Sequence, residues 1–399
     1  MQIDRRASFH EFLVPLLFGV LLAIGLTGCA TPYRSEQLQS FDQAIVTATV
    51  ALLKQVGASP AMLAPGAAPS DKRVIVLDPA LDAGSGQQTL GTQRLDRAIA
   101  AHTAANFKQI ETLPFKAANL PRAQYLLAGT LAREDAGLRI SLALVDLKEG
   151  TVVAQASTLA RKNEVDMAPL AYYRDSPVLL KDEVVEGLVR TSRGAPGDKA
   201  DAIYFAHIAT GTLVNDATQL YNAGRYREAL AQYRRAAATP GGDQIRVLNG
   251  IYLTSLKLGQ SAEAEDAFGR VVAYGIAHHQ LGVKFLFNPG STDFWSDPRV
   301  TSAYRMWLRQ IARQGGDSRV CMDIVGHSSK TGPEEVNDSL SLRRAQSIRQ
   351  RLVAESAELA DRTRPKGQGS RQNLVGSGTD DVVDALDRRV EFVIVECSG

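Results

Sequence analysis

Apolar residues along this chain change their spacing several times, and each change marks a different kind of unit. Residues 13–26 form one apolar stretch behind Arg5 and Arg6. The stretch is too short, and too soon followed by polar sequence, for a comfortable spanning helix, so it reads as a secretory signal. A helical pattern precedes residues 57–71, which are rich in Ala, Pro, Gly and Ser and read as an internal loop. Residues 73–77 (RVIVL) are a short apolar run ended by Asp78 and Pro79, and residues 95–107 return to helical spacing. Segments at 125–131, 138–146 and 151–157, separated by turns at 134–137 and 148–150, predict a meander of antiparallel strands. A β-α start followed by that meander predicts an α+β sandwich of helix on sheet.

Residues 191–201, polar and broken by Gly and Pro, read as a linker. Beyond it the pattern becomes helical and repeats itself. Gly224, Ala229, Tyr233 and Ala236 correspond to Gly259, Ala264, Phe268 and Val271. The glycines fall at inter-helix turns, the alanines permit close approach, and the aromatics fill the space between helices. This pattern resembles a two-repeat tetratricopeptide (TPR) segment. The resemblance implies either a concave surface for a partner segment or a spacer, since two repeats make a shallow stack. Tyr221, Tyr226 and Tyr252 either line that groove or belong to the core.

The last segment carries the most specific pattern. Residues 285–287 (FLF), with Gly290 and Ser291, read as a first strand and its turn, and residues 298–313 as a helix. Residues 320–327 (VCMDIVGH) read as a strand; a helix begins with Asn337, Leu340, Ser341, Arg344 and Ala345; residues 388–395 (RRVEFVIV) read as the last strand. That ordered series resembles the OmpA-like domain. The resemblance implies capture of the diaminopimelate side of the peptidoglycan stem peptide, with Arg344 gripping a carboxylate through parallel hydrogen bonds. Backbone donors at the helix amino terminus near residues 337–341 are expected to add to that grip. Asn337, Thr331 and Arg388 match further pocket positions. Ser329 stands where the family carries an aspartate that pairs with the diaminopimelate ammonium. The loss of that charge is expected to cost about 1–3 kcal/mol, or about tenfold to hundredfold in affinity. Glu334 or Asp338 is the candidate replacement.

Charge and cysteine usage narrow the partners. A net charge of +2 on 399 residues singles out neither nucleic acid nor an anionic bilayer, so no nucleic-acid partner is expected. Leu26, Thr27, Gly28 and Cys29 resemble the lipobox of bacterial lipoproteins, which implies lipidation at Cys29. Ala30 and Thr31 then imply sorting to the outer membrane, facing the periplasm; an uncleaved signal anchor is the alternative. Two or three acyl chains hold durably where one holds marginally. A tether from Cys29 to Ser40 spans at most about 35 Å. Cys321 and Cys397 lie near the start of one strand and the end of another. If those strands are antiparallel neighbours, an oxidising periplasm joins the thiols in a structural disulfide.

Residues 73–157, through "YLLAGTL…LRISLALVDLKEGTVVAQA", look like the small α/β domain of the FlgO, CsgG and TolB amino-terminal group. No paired-carboxylate site, Ser/His/Asp order or metal-ligand spacing stands out, so no enzyme activity, cofactor or metal is expected. The doublet His278 and His279 reads as surface, and His327 as positional.

The expected map is a multidomain α+β protein. Residues 1–28 are a lipoprotein signal peptide, 29–39 a tether, 40–190 an α/β sheet domain, 191–203 a linker, 204–279 TPR-like helical hairpins, and 280–399 an OmpA-like βαβαβ sandwich. The expected function is a non-enzymatic lipoprotein tethering the outer membrane to peptidoglycan. The alternative is an accessory factor of a flagellar, secretion or pilus apparatus, acting through protein contacts.

Overall fold

The computed structural model describes residues 31–57, 72–279, 281–288, 290–296, 298–374, 378 and 387–397. Cys29 and nearly all of the 57–71 loop lie outside the described residues.

The first unit is a seven-stranded sheet. Its elements are β1 (Tyr33–Gln39), α1 (Phe41–Gly57), β2 (Arg73–Leu77), β3 (Leu81–Asp82), α2 (Leu90–Asn106), β4 (Ile110–Pro114), β5 (Tyr125–Glu134), β6 (Gly137–Asp146) and β7 (Thr151–Ala160). The strand order is β1-β7-β6-β5-β2-β4, with β3 beside β5. As expected, β5, β6 and β7 form an antiparallel meander. β2 runs parallel to both β4 and β5.

Helix covers both faces of this sheet, which corrects the single helix-on-sheet layer. α1 and α2 bury Ile45, Leu52, Leu95 and Ile99 against Leu127, Ile140 and Leu142. On the other face, α4 (Glu183–Arg193), α5 (Ala202–Ala206) and the start of α6 (Ile208–Asn222) bury Leu188, Tyr204 and Ile208 against Leu126, Ala128 and Val145. The reason lies in β5 and β6, whose residues are apolar on both faces and so need cover on both.

Two expected connectors are structured. Residues 33–39 of the tether form β1, an edge strand parallel to β7. Its sequence, YRSEQLQ, is almost wholly exposed, so no apolar alternation marks it. The pairing is reinforced by Arg139, which is buried and donates to Glu36 at 2.6 Å, Glu134 at 2.8 Å and the Ser35 carbonyl at 3.1 Å. Residues 191–203 are likewise no free linker. They finish α4, pair with the sheet through Val152 N–H to Asp198 O at 2.8 Å and Ala200 N–H to Gly150 O at 2.9 Å, and enter α5.

α6 and α7 (Tyr226–Ala237) form one helical hairpin, and α8 (Ile245–Lys257) and α9 (Ser261–Ala277) the next. Gly224 and Gly259 turn between the helices at φ 74° and 73°, a conformation that costs glycine little. Ala229, Tyr233, Ala264 and Phe268 are buried at the positions the repeat assigns them. The space across α6 and α8 is filled from within by α3 (Ala171–Asp175). Tyr172 of α3 stacks on Tyr233, meets Tyr221 edge-on and donates its hydroxyl to the Arg246 carbonyl at 2.6 Å. Tyr221 and Tyr252 are core residues, and Tyr226 packs edge-on against Tyr221.

The hairpin stack runs without a break into the last unit, which comprises β8 (Leu281–Val283), α10 (Pro298–Thr301), α11 (Tyr304–Asp317), β9 (Cys321–Gly326), α12 (Glu334–Glu355), β10 (Thr363–Gly367) and β11 (Val390–Val395). Phe268 of α9 stacks on Trp307 of α11, whose indole donates to the Tyr252 hydroxyl at 2.7 Å. One apolar core therefore spans hairpins and final sheet. The sheet order is β10-β9-β11-β8. The first strand sits at 281–283 and not at 285–287, because Phe285 and Phe287 turn inward to pack on Phe294. β10, which the βαβαβ reading lacks, adds a parallel strand beside β9. No described helix is long and apolar enough to cross a membrane.

Candidate functional site

The expected site residues gather where α12 lies on the final sheet. Close approach is possible because Gly326 ends β9: a Cβ there would stand 2.2 Å from the Ser341 carbonyl. Asn337, Ser341 and Arg344 recur at helical spacing and share the face of α12 that is buried.

Arg344 is 4% exposed. Its guanidinium lies 4.9 Å from the centre of the Phe287 ring and donates Nε to the Ser291 carbonyl at 3.2 Å and Nη2 to the Asn288 carbonyl at 3.4 Å. The turn after Phe287 therefore sits against the arginine expected to bind ligand.

Ser329, Thr331 and Asn337 form a connected chain in the β9–α12 loop. The Ser329 and Thr331 hydroxyls lie 2.8 Å apart, and Asn337 Nδ2 donates to the Thr331 carbonyl at 3.0 Å. Ser329 and Asn337 are buried and Thr331 is exposed. Arg388 is half-buried just before β11. The structure thus brings Ser329, Thr331 and Asn337 together and sets Arg344 on the same helix face as Asn337.

One expectation is corrected. The helix amino terminus is at Glu334, and the Asn337 N–H already donates to Pro333 O at 3.1 Å. Backbone donors at 337–341 are therefore spent inside the helix. Glu334 and Asp338 both pair with Arg371 at the surface, Asp338 bidentately at 2.7 and 2.5 Å and Glu334 at 3.0 Å.

Sequence reasoning missed a buried charged cluster under β11. Arg389 donates to Glu391 at 2.6 Å and to the Gln372 carbonyl at 3.2 Å. His327, almost wholly buried, stands 3.4 Å from the other Glu391 oxygen. Burial raises the Glu391 carboxyl, but His327 and Arg389 outweigh it and hold the group at about 2. The signal was the charged triplet Arg388, Arg389 and Glu391 inside an otherwise apolar strand. His278 stacks on Tyr274 at the surface, and no group of three metal-ligating side chains occurs among the described residues.

Cys321, paired across from Val395, is joined to Cys397 in a disulfide. The strands are antiparallel neighbours, which is the condition the pairing needed.

The OmpA family model matches residues 286–385, so the C-terminal segment is an OmpA-like domain. No curated protein matches the chain. Among solved structures, the chain resembles an outer membrane protein from Borrelia burgdorferi B31 at 26% identity, covering 29% of this chain and 88% of that one, with a TM-score of 0.23. The peptidoglycan-associated lipoprotein from Burkholderia pseudomallei matches at 22% identity over 29% of this chain and 89% of its own, TM-score 0.24. The cell wall anchor of the type VI secretion system from Pseudomonas aeruginosa matches at 22% identity over 29% and 80%, TM-score 0.24.

Proposed function

We propose that this chain is a non-enzymatic cell-envelope lipoprotein that ties the outer membrane to peptidoglycan. Lipid on Cys29 holds one end, and the OmpA-like domain takes the diaminopimelate stem peptide at the other. The observation that carries the reading is the family match over 286–385; Arg344 lies within that segment, and the resemblance implies that it grips the ligand carboxylate. Ser329, Thr331, Asn337 and Arg388 complete the proposed pocket. With a hydroxyl at position 329 and Glu334 and Asp338 held by Arg371, the ammonium of the ligand meets a neutral acceptor, so affinity is about tenfold to hundredfold below that of an aspartate-bearing pocket.

In this reading the anchor is short: β1 starts at Tyr33, so a lipid on Cys29 would leave residues 30–32 as the tether and hold the first unit close to the bilayer.

A second reading has its own support. Arg344 is buried beneath the Asn288–Ser291 turn, which favours a module that positions the protein in a surface apparatus without gripping the wall. Retention of the full-length protein on isolated sacculi separates the two. A tether is retained, loses at least tenfold in affinity in Arg344→Ala, and gains in Ser329→Asp. Retention that ignores both substitutions would exclude the proposed pocket. A fragment from residue 283 onward is unsuited to the test, since removing α9 uncovers Trp307.

A further inference from the structure

Lys284 follows β8 and is 9% exposed. Its ammonium donates to the Tyr173 carbonyl at 3.3 Å and the Arg174 carbonyl at 3.1 Å. Among the described residues no carboxylate lies within ion-pair distance of it. An ammonium has three donors, and burying it without a counter-charge is costly. Asp175, the nearest acid, is already taken: Lys257 reaches it at 2.9 Å, the Tyr221 hydroxyl at 2.9 Å and Arg174 at 3.2 Å. By contrast, buried Arg139 has two carboxylates of its own.

Lys284 forms part of the wall of a cavity of about 340 Å³, at the junction of α3, α8 and the start of the OmpA-like domain. That volume is within the range of small-molecule sites, about 300–1,000 Å³. Tyr252, Tyr304, Trp307, Leu253 and Leu256 make the rest of the wall mainly apolar. The polar tips of the aromatics are engaged elsewhere: Trp307 donates to Tyr252, and the Tyr304 hydroxyl accepts from the Leu286 N–H at 2.9 Å. Of the three aromatics, Trp307 keeps the most accessible surface, 7%. Arg174 and Lys257 stand at its rim, so its lining carries three cations and one carboxylate, Asp175.

We propose that this cavity binds a small amphipathic carboxylate, its apolar or aromatic body against Trp307, Leu256 and Leu286 and its carboxylate on Lys284. Nothing in this inference depends on the wall-binding reading. The ligand supplies the counter-charge that the fold withholds. Burial holds the Lys284 ammonium down at about 8, while Asp175 opposes that shift and Arg174 adds to it. Burial moves Tyr252 and Tyr304 upward, so neither ionises in the range where Lys284 loses its proton.

The chain has two tryptophans, so Trp295→Phe in the full-length protein leaves Trp307 as the sole reporter. Octanoate is expected to change Trp307 emission saturably at pH 7, with octylammonium at least tenfold weaker. The octanoate affinity should fall at least tenfold between pH 7 and pH 10 in the unaltered pocket, and by a similar factor at pH 7 in Lys284→Met. Ala303→Leu, which narrows the cavity without removing a charge, should weaken binding as well. The proposal is overturned if octanoate gives no saturable change, if octylammonium binds as tightly, or if affinity is the same at both pH values. Unchanged binding in a folded Lys284→Met would also sink it.

Discussion

The two ends of the described chain are each held by a terminal strand, and the fastenings are chemically opposite. β1 is polar, exposed and at a sheet edge, and its side-chain clasp is Arg139 between Glu36 and Glu134. β11 lies inside its sheet between β9 and β8, buries Val390 and Phe392, and is locked beyond its last residue by Cys321–Cys397. A strand without apolar alternation gains little from burial, so its hold is ionic and local. A covalent staple ignores salt and yields only to reduction. Of the two, β1 is the weaker fastening.

The largest effect that would sharpen this contrast is at the disulfide. Its ends are 76 residues apart, and closing such a loop in the unfolded chain is worth about 4.5 kcal/mol before native-state strain is subtracted. Cys321→Ser with Cys397→Ser should lower the unfolding free energy of the C-terminal unit by about 3–4 kcal/mol in urea titrations, while amide exchange in β1 stays as it was. Faster exchange in β1 would mean that the two fastenings are not independent.

Next comes Arg139→Ala, which leaves Glu36 and Glu134 facing each other and the Ser35 carbonyl without its donor. A loss of about 1–3 kcal/mol is expected, read as faster amide exchange confined to residues 33–39 and the adjoining edge of β7. Molar salt should reproduce part of it in the wild-type protein. No local change would show that β1 is held by backbone pairing alone.

The same two regions should answer pH in opposite senses. Glu391 is held below its ordinary value, so its contribution is present above about pH 4.5 and is lost as pH falls toward 2. Glu391→Gln should flatten that acid limb by on the order of 1 kcal/mol, partial exposure of the carboxylate reducing the effect. On α2 of the N-terminal unit, burial and the neighbouring Asp78 push Asp96 up to about 8. The folded state therefore favours its protonated form, and stability declines as pH rises from about 4 through 8. Asp96→Asn should remove that decline; the gain is the smallest of the set because the side chain keeps partial contact with solvent. A wild-type protein with no alkaline decline in this unit would contradict the contrast.

Much of this organisation was legible in residue order. The run at 73–77 is β2 to the residue, and the alternating segments at 125, 138 and 151 are the cores of β5, β6 and β7. Gly224 and Gly259 fall at the two hairpin turns, and the ordered motifs of the last hundred residues locate the domain that the family match confirms. These succeeded because burial periodicity and backbone permissiveness are local properties. β1, β4 and β10 were missed because YRSEQLQ, IETLP and TRPKG carry little apolar signal, and the strands they form lie at sheet edges.

What residue order determined by itself is therefore the apolar strands, the helical hairpins and the identity of the C-terminal module, each encoded within a few turns or strands of chain. Only the tertiary structure decided who touches whom. It put α3 across the hairpins, gave Glu334 and Asp338 to Arg371, laid the 288–291 turn on Arg344, and left Lys284 beside a cavity. Partners of a charge come from distant segments, and side-chain pairing over such separations has no period to read.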